Sequence, residues 1–130
     1  MKVVLDADVL IGALDSSDAH HGEARALFTH WHAQDTSRLI SAVNLSEVLV
    51  APASDPQRLR AAREAIAALG VGVHQPNEAI AVAAARLRSR HPISLPDAYC
   101  LATARYAGGS VASFDQKVIR VAREERLAQP

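Results

Sequence analysis

Two aspartates interrupt the first apolar run of the chain, the stretch VVLDADVLIG at residues 3 to 12. The β-branched residues before them predict a buried strand that ends near Asp6, with Asp8 two positions later. A buried carboxylate is costly unless a cation or hydrogen-bond donors compensate it. The stretch therefore predicts that the fold brings a specific partner to Asp6 and Asp8.

Strand and helix patterns alternate along the rest of the chain. Short apolar runs predict strands at KVVLDA, RLISAV, VGVH and SVASF. Helical spacing, caps and breakers predict helices at HHGEARALFTHWHA, NLSEVLVA, DPQRLRAAREAIAALG, NEAIAVAAARLRSR, SLPDAYCLATARYAGG and DQKVIRVAREERL. This alternation predicts an α/β fold, with a parallel sheet of about four to five short strands and helices on both of its faces.

Composition restricts the class of protein. Hydrophobic residues make up 49% of the 130 residues and charged residues 22%, which is typical of a globular chain. A net charge of zero argues against a strongly basic nucleic-acid binder, although acids neutralised by metal would leave a positive surface. The single cysteine, Cys100, predicts a reducing, cytoplasmic location. No membrane segment or signal peptide is expected, because no apolar run approaches about 18 residues.

Four further observations place acids at one edge of the predicted sheet. Asp6 ends the first strand, where we expect no helix to start, and Asp115 directly follows the fourth. Glu47 and Asp97 each fall in the first turn of a predicted helix. Ligands of open α/β sheets bind outside the carboxyl ends of the strands. The four carboxylates could therefore converge there and hold a hard cation such as Mg²⁺.

The same acids have a purely structural interpretation. The segments NLSE and SLPD both fit a capping box, in which the acid bonds back to the residue that begins the helix. Asp115 could be a simple N-cap. Asp8 could be a metal ligand, a hydrogen-bond acceptor behind the ligands or a solvated turn residue. The local pattern alone leaves these alternatives open.

Four motifs in order connect the chain to a known family: VVLDADVLIGAL, NLSEVL, LPDAYCLATA and SFDQ. With them the chain resembles the PIN domain, and within it the VapC-type toxins of toxin–antitoxin pairs, over nearly its whole length as a single domain of residues 1–130. The resemblance implies a metal-dependent endoribonuclease that cleaves RNA. It also implies a VapB-type antitoxin partner and a homodimer. The acids that would hold Mg²⁺ or Mn²⁺ are Asp6, Glu47, Asp97 and Asp115.

Two secondary positions follow from the same resemblance. The family often has Ser or Thr two residues before the last acid, and Ser113 fits this pattern. It also often has a hydroxyl residue two positions after the first acid, where this chain has Asp8 instead. Whether Asp8 contacts metal directly or through water stays open at this point.

Basic and aromatic residues suggest contacts with partners. Arg86, Arg88 and Arg90 precede the loop to Asp97 and could bind RNA phosphates, or they could simply suit a helix C-terminus. We expect Trp31 and Val50 to form part of a groove for an antitoxin segment. The arginines of the third predicted helix are expected on a solvated helix face: Arg58, Arg60 and Arg63.

Two rival functions belong to other classes. LDADVLIG also resembles the start of haloacid-dehalogenase-like phosphohydrolases, in which Asp6 would attack phosphate and Asp8 would act as the acid. Leu10 stands where that motif has Thr or Val, and the required later lysine could only be Lys2 or Lys117. The other rival is a non-catalytic α/β binding module whose acids all serve as caps.

Overall fold

Four parallel strands form the centre of the computed structural model, which describes residues 1–129. They are β1 (Lys2–Leu5), β2 (Ser37–Ser41), β3 (Val71–His74) and β4 (Ser110–Ala112), arranged in the order β3-β2-β1-β4. Val4 in β1 pairs with Leu39 on one side and Val111 on the other. The first strand is therefore central, and the predicted parallel α/β architecture is confirmed.

Seven helices connect and cover these strands. They are α1 (Ala7–Leu14), α2 (His21–Ala33), α3 (Ala42–Leu49), α4 (Pro56–Ala68), α5 (Glu78–Arg90), α6 (Leu95–Ala107) and α7 (Gln116–Glu124), with a 3₁₀ turn at Pro52–Ser54. The predicted helix ends are confirmed where they depend on a capping residue or a glycine close in sequence. Asp55 and Asn77 cap α4 and α5 with their side chains, and Gly108 ends α6 in the left-handed conformation.

Both faces of the sheet are buried. Val3 and Leu5 of β1 join one apolar cluster, which receives Leu10 from α1 and Phe28 from α2. Val4 points to the opposite face, because side chains alternate along a strand. It joins a second cluster built largely from α5, α6 and α7: Ile80, Leu101 and Val118 are among its buried members.

The first helix is a correction to the sequence prediction. Strand β1 ends at Leu5, and α1 begins directly at Ala7, so Asp6 is an N-cap and a helix does start there. The pattern hid this helix because most of its residues are buried. Val9, Leu10 and Ala13 are all inaccessible, so no polar stripe reveals the helical period.

The start of α3 is a second correction. The helix begins at Ala42, two residues earlier than predicted, and Ser41 caps it through a hydrogen bond from the Val43 N–H. Asn44 therefore lies inside the helix, and NLSE is not a capping box. The strand-to-helix junction decides this, because β2 ends at Ser41 in extended conformation.

The predicted contact of Trp31 with an antitoxin is wrong. Trp31 is only 2% exposed and packs edge-on against Phe28 at a centroid distance of 5.2 Å. With so few aromatic residues, the core needs this ring to fill the space beneath α2. Val50 is 72% exposed and stays a candidate for a partner contact. Within residues 1–129, no helix has the length and apolarity to cross a membrane.

Candidate active site

The carboxyl edge of the sheet brings together the two predicted acids that directly follow strands. Strands β1 and β4 are parallel neighbours, and the Asp6 N–H donates to the Ala112 carbonyl at 2.9 Å. Asp6 and Asp115 leave these strands on the same edge. The helices that carry Asp8 and Asp97 begin there too, since the charges of both acids act on Asp6.

Asp6 is the most buried acid of this edge, with 6% exposure. Its Oδ1 accepts the Ala7 N–H at 2.8 Å, and its Oδ2 accepts the Ser113 hydroxyl at 2.7 Å. Burial nevertheless raises the pKa of Asp6 to about 7, and the charges of Asp8 and Asp97 contribute to the increase. Two hydrogen bonds therefore do not compensate the loss of water and the repulsion between these carboxylates.

Ser113 connects the first acid to the last. Its Oγ donates to Asp6 and accepts the Asp115 N–H at 3.0 Å. One hydroxyl thus fixes the orientation of the Asp6 carboxylate relative to the start of α7. The secondary role predicted for Ser113 agrees with this geometry, since the residue holds an acid in place and projects no charge of its own.

Asp8 lies deeper than a solvated turn residue would. Its Oδ2 accepts the Phe114 N–H at 3.1 Å, while its Oδ1 is buried and has no hydrogen-bond partner within residues 1–129. Burial raises the pKa of Asp8, and the charge of Asp115 raises it further. The charge of Asp8 therefore interacts with the charges of both Asp6 and Asp115.

Glu47 and Asp97 are linked by a residue that the sequence reasoning did not identify. Asn44 is fully buried, and its Nδ2 donates to Glu47 Oε1 at 3.1 Å and to the Pro96 carbonyl at 3.0 Å. This amide ties α3 to the first turn of α6, where Asp97 lies. The only available signal was the position of Asn44, one helical turn before an acid.

The pKa of the Cys100 thiol is affected by several of these acids. The thiol is fully buried on α6, and burial raises its pKa well above the ordinary range. Four carboxylates raise it further through their charges: Asp6, Asp8, Asp97 and Glu47. These four therefore surround the same part of α6, while Asp115 joins the group through its effect on Asp8.

Three of the acids also act in helix caps: Asp97 and Asp115 as the structural interpretation predicted, and Asp6 although no helix start was expected there. Asp6 caps α1, and Asp115 Oδ1 caps α7 through the Lys117 N–H at 2.8 Å. Ser94 and Asp97 form the expected capping box, with Asp97 Oδ2 accepting the Ser94 N–H. Capping and clustering are thus compatible. The N-termini of three helices point toward one edge, which favours negative charge there.

The donor set fits a hard divalent cation in kind. Every candidate ligand is a carboxylate oxygen, and Asp8 Oδ1 is a buried acceptor without a donor. The side chains do not adopt a coordination geometry, however. Within residues 1–129, no three His, Cys, Asp or Glu side chains converge closely enough to hold a metal ion. Capping bonds and mutual repulsion hold the carboxylates apart.

An aromatic stack borders this edge and was also missed by the sequence reasoning. The rings of His20 and Phe114 are stacked with centroids 4.4 Å apart. The Phe114 N–H contacts Asp8, and the charge of His20 lowers the pKa of Asp8 against the larger effect of burial. Nothing in the histidine spacing distinguished His20 from the five other histidines.

The basic segment before Asp97 is divided by the tertiary structure. Arg86 and Arg88 are exposed, whereas Arg90 donates to Glu125 on the far side of α7 at 3.1 Å. Arg105 and His91 bind the same carboxylate, at 3.2 and 2.7 Å. Arg90 is therefore engaged within the chain, and only Arg86 and Arg88 remain free candidates for RNA contact.

Comparison with known proteins agrees with this architecture. A search of curated protein sequences found no significant match. Solved structures of similar fold include VapC20 of Mycobacterium tuberculosis, described as a toxin that cleaves the sarcin-ricin loop (TM-score 0.71, 19% identity, 91% of this chain and 93% of that chain). A toxin–antitoxin complex from Klebsiella pneumoniae has TM-score 0.73 at 25% identity, with 90% and 89% coverage.

VapBC-1 from nontypeable Haemophilus influenzae has TM-score 0.74 at 16% identity and covers 100% of this chain and 97% of its own. At such low identity, likeness to the toxin structures establishes the fold. The sequence itself matches the profile described as "PIN domain" over residues 3–124. The chain therefore belongs to the PIN domain family.

Proposed function

We propose that the protein is a metal-dependent endoribonuclease and the toxin of a VapBC-type toxin–antitoxin pair. The observation that carries this proposal is the group of electrostatically interacting acids at the carboxyl edge. Burial and neighbouring carboxylates raise the pKa of its central member, Asp6, to about 7. A group of acids this unfavourable by itself is typical of a site that binds a cation.

Asp6, Glu47, Asp97 and Asp115 would hold Mg²⁺ or Mn²⁺, with Asp8 and Ser113 in supporting roles. When bound, the metal supplies an activated water and stabilises charge on the phosphate oxygens. Ser113 keeps the Asp6 carboxylate oriented, and Asn44 keeps Glu47 close to the first turn of α6. The dipoles of α1, α6 and α7 favour negative charge near their N-termini, which would help to bind the phosphodiester.

The phosphohydrolase alternative has less support. That chemistry needs a lysine beside the nucleophile, and one of the two lysines is unsuitable, since the Lys2 Nζ donates to the Ala107 carbonyl at the end of α6. Family membership also favours the nuclease over a module of caps. The solved toxin–antitoxin complexes support a VapB-type antitoxin as partner and RNA as substrate for this chain.

The test is cleavage of total RNA by purified protein with Mn²⁺ or with EDTA. We expect cleavage that EDTA abolishes and that Asp6→Asn reduces by more than about a hundredfold, since the change removes one of the carboxylates that would hold the metal. The matched control is Asp55→Asn, which changes another aspartate N-cap but lies outside the acid group. Wild-type protein should also arrest the growth of a bacterial host, and Asp6→Asn should not.

Equal activity with and without EDTA would contradict the metal requirement. Hydrolysis of a phosphomonoester in place of RNA would favour the phosphohydrolase.

A further inference from the structure

A hollow of about 600 Å³ lies between α1, α3 and α4 and reaches the candidate active site. Glu47 is one of the residues that line it, so the hollow and the acid group share this residue. Its volume is within the range of pockets that bind small ligands. A molecule that occupies the hollow would therefore lie directly beside the proposed point of cleavage.

Polar and apolar surface contribute about equally to the wall of the hollow, and its apolar part comes mostly from small side chains. Ile11 and Leu14 line it from α1, Val48 from α3, and Ala61 and Ala65 from α4. The alanines of α4 leave space that larger residues would fill. Such a mixed surface suits a nucleotide, since apolar side chains can contact the flat face of the base and polar groups can contact the ribose hydroxyls.

Among the described residues 1–129, Arg58 is the only lysine or arginine that lines the hollow. Arg60 and Arg63 lie on the same helix but do not line it. Within residues 1–129, the Arg58 guanidinium makes no ion pair or hydrogen bond that would neutralise it. The three arginines expected on one solvated face are thus not equivalent, because only Arg58 offers its charge to the hollow.

The charges around the hollow explain why a cation is needed there. Glu47 and Asp15 both line it. Hydrogen bonds from Ser17 lower the pKa of Asp15, so this carboxylate is ionised near neutral pH. An RNA strand that enters beside these acids is repelled at every phosphate that no cation contacts.

We propose that this hollow is a subsite for the nucleotide that flanks the scissile phosphodiester. Arg58 binds the phosphate of that nucleotide, and the wall of the hollow receives its base and ribose. The proposal rests on the proposed function, because it assigns the substrate of the same site. It makes Arg58 a determinant of RNA binding and leaves the acids to perform the cleavage.

The experiment compares Arg58→Gln with Arg60→Gln, which removes an identical charge from the same helix outside the hollow. Binding of a fluorescent single-stranded RNA is measured in EDTA over a series of salt concentrations. We expect Arg58→Gln to weaken binding about tenfold and to lower the salt slope by about 0.7, the value for one phosphate contact on a single strand. Arg60→Gln should match the wild type in slope.

Cleavage of the same RNA with Mn²⁺ provides the second measurement. KM should rise about tenfold for Arg58→Gln with kcat nearly unchanged, because the lost contact binds substrate and transition state alike. Equal salt slopes for the two variants would overturn the subsite and would point to a protein segment as the occupant. A lower slope for Arg58→Gln, together with no cleavage by wild type, would support the subsite and contradict the nuclease.

Discussion

Asp6 and Glu125 are carboxylates in shielded positions whose pKa values move in opposite directions. The pKa of Asp6 is raised to about 7, and that of Glu125 is lowered to about 2. Asp6 has only neutral donors and lies near two other acids. Glu125 accepts a hydrogen bond from His91, the largest cause of its shift, and further bonds from Arg90 and Arg105.

The difference separates a structural use of charge from a functional one. The Glu125 group is complete, because every charge has its partner within the chain, and it fastens the end of α7 to α6 and to the segment after α5. The Asp6 group has no such partner, because its hydrogen-bond donors are neutral and the nearby charges that act on it are other acids. Repulsion at such a site lowers the free energy of unfolding, and a ligand that binds only the folded state raises it again.

The largest expected effect is a pH dependence of the metal-free protein due to Asp6. Its pKa rises from 3.8 in the unfolded chain to about 7 in the fold, so between these values the folded state binds the additional proton. The free energy of unfolding should therefore fall by about 3 kcal/mol as pH rises from about 4 to 7. Urea denaturation of EDTA-treated protein measures this slope.

Asp6→Asn should remove most of that slope, since the variant has no titrating group at this position. An unchanged slope in Asp6→Asn would show that other acids titrate in this pH range. It would contradict the raised pKa of Asp6 on which the comparison with Glu125 depends.

The opposite slope is expected at acid pH because of Glu125. Its pKa is 4.5 in the unfolded chain and about 2 in the fold, so its contribution is complete above about 4.5 and is lost as pH falls toward 2. Two of its partners, Arg90 and Arg105, are nearly half exposed, which screens the pairs. We expect Glu125→Gln to cost about 2 kcal/mol at pH 7.

Urea denaturation at pH 7 and pH 3 measures this loss, with Glu124→Gln as the control. Glu124 is 56% exposed and approaches only His91, at 3.4 Å. An equal loss in both variants would mean that the pairing around Glu125 is not specific. RNA cleavage per folded molecule should be unchanged in either variant.

Asn44→Ala tests whether the incomplete site is nevertheless held in shape. Loss of the amide frees Glu47 from its bond and separates α3 from the Pro96 carbonyl. We expect Mn²⁺ affinity, measured by titration calorimetry, to fall about tenfold, which is typical when a residue that orients a ligand is removed. Ser46→Ala, an exposed change on the same helix, should leave affinity unaltered.

If Asn44→Ala lowers the melting temperature but binds Mn²⁺ as the wild type does, then Asn44 serves packing alone.

The smallest expected effect is a gain of stability in Asp8→Asn. The amide oxygen can still accept the Phe114 N–H, while an NH₂ group replaces the buried oxygen that has no donor. Repulsion of Asp6 falls at the same time. We expect the EDTA-treated variant to gain about 1 kcal/mol in urea denaturation. A destabilised variant would show that the Asp8 charge has a partner within the fold.

Much of the fold followed from local signals. The caps of α4, α5 and α7, the capping box of α6 and the Gly108 stop were read correctly, because each depends on neighbours within about one turn. The start of α1 was missed, since a helix buried on nearly all sides has no amphipathic pattern. The start of α3 was misplaced because Ser41, at the end of a strand, competes with Asn44 for the role of cap.

The sequence by itself determined that Asp6 and Asp115 leave parallel strands at the same edge of the sheet, because the carboxyl ends of parallel strands share one edge. Only the tertiary structure decided how each charge is used. Arg90 pairs with Glu125 from 35 positions away, and Asn44 reaches Pro96 across 52 positions. Contacts between residues so far apart in sequence cannot be predicted from local sequence patterns.

The same is true of Arg58, whose side chain lines a hollow while Arg60, two residues later on α4, does not. Packing between helices, and not helical periodicity, separates them.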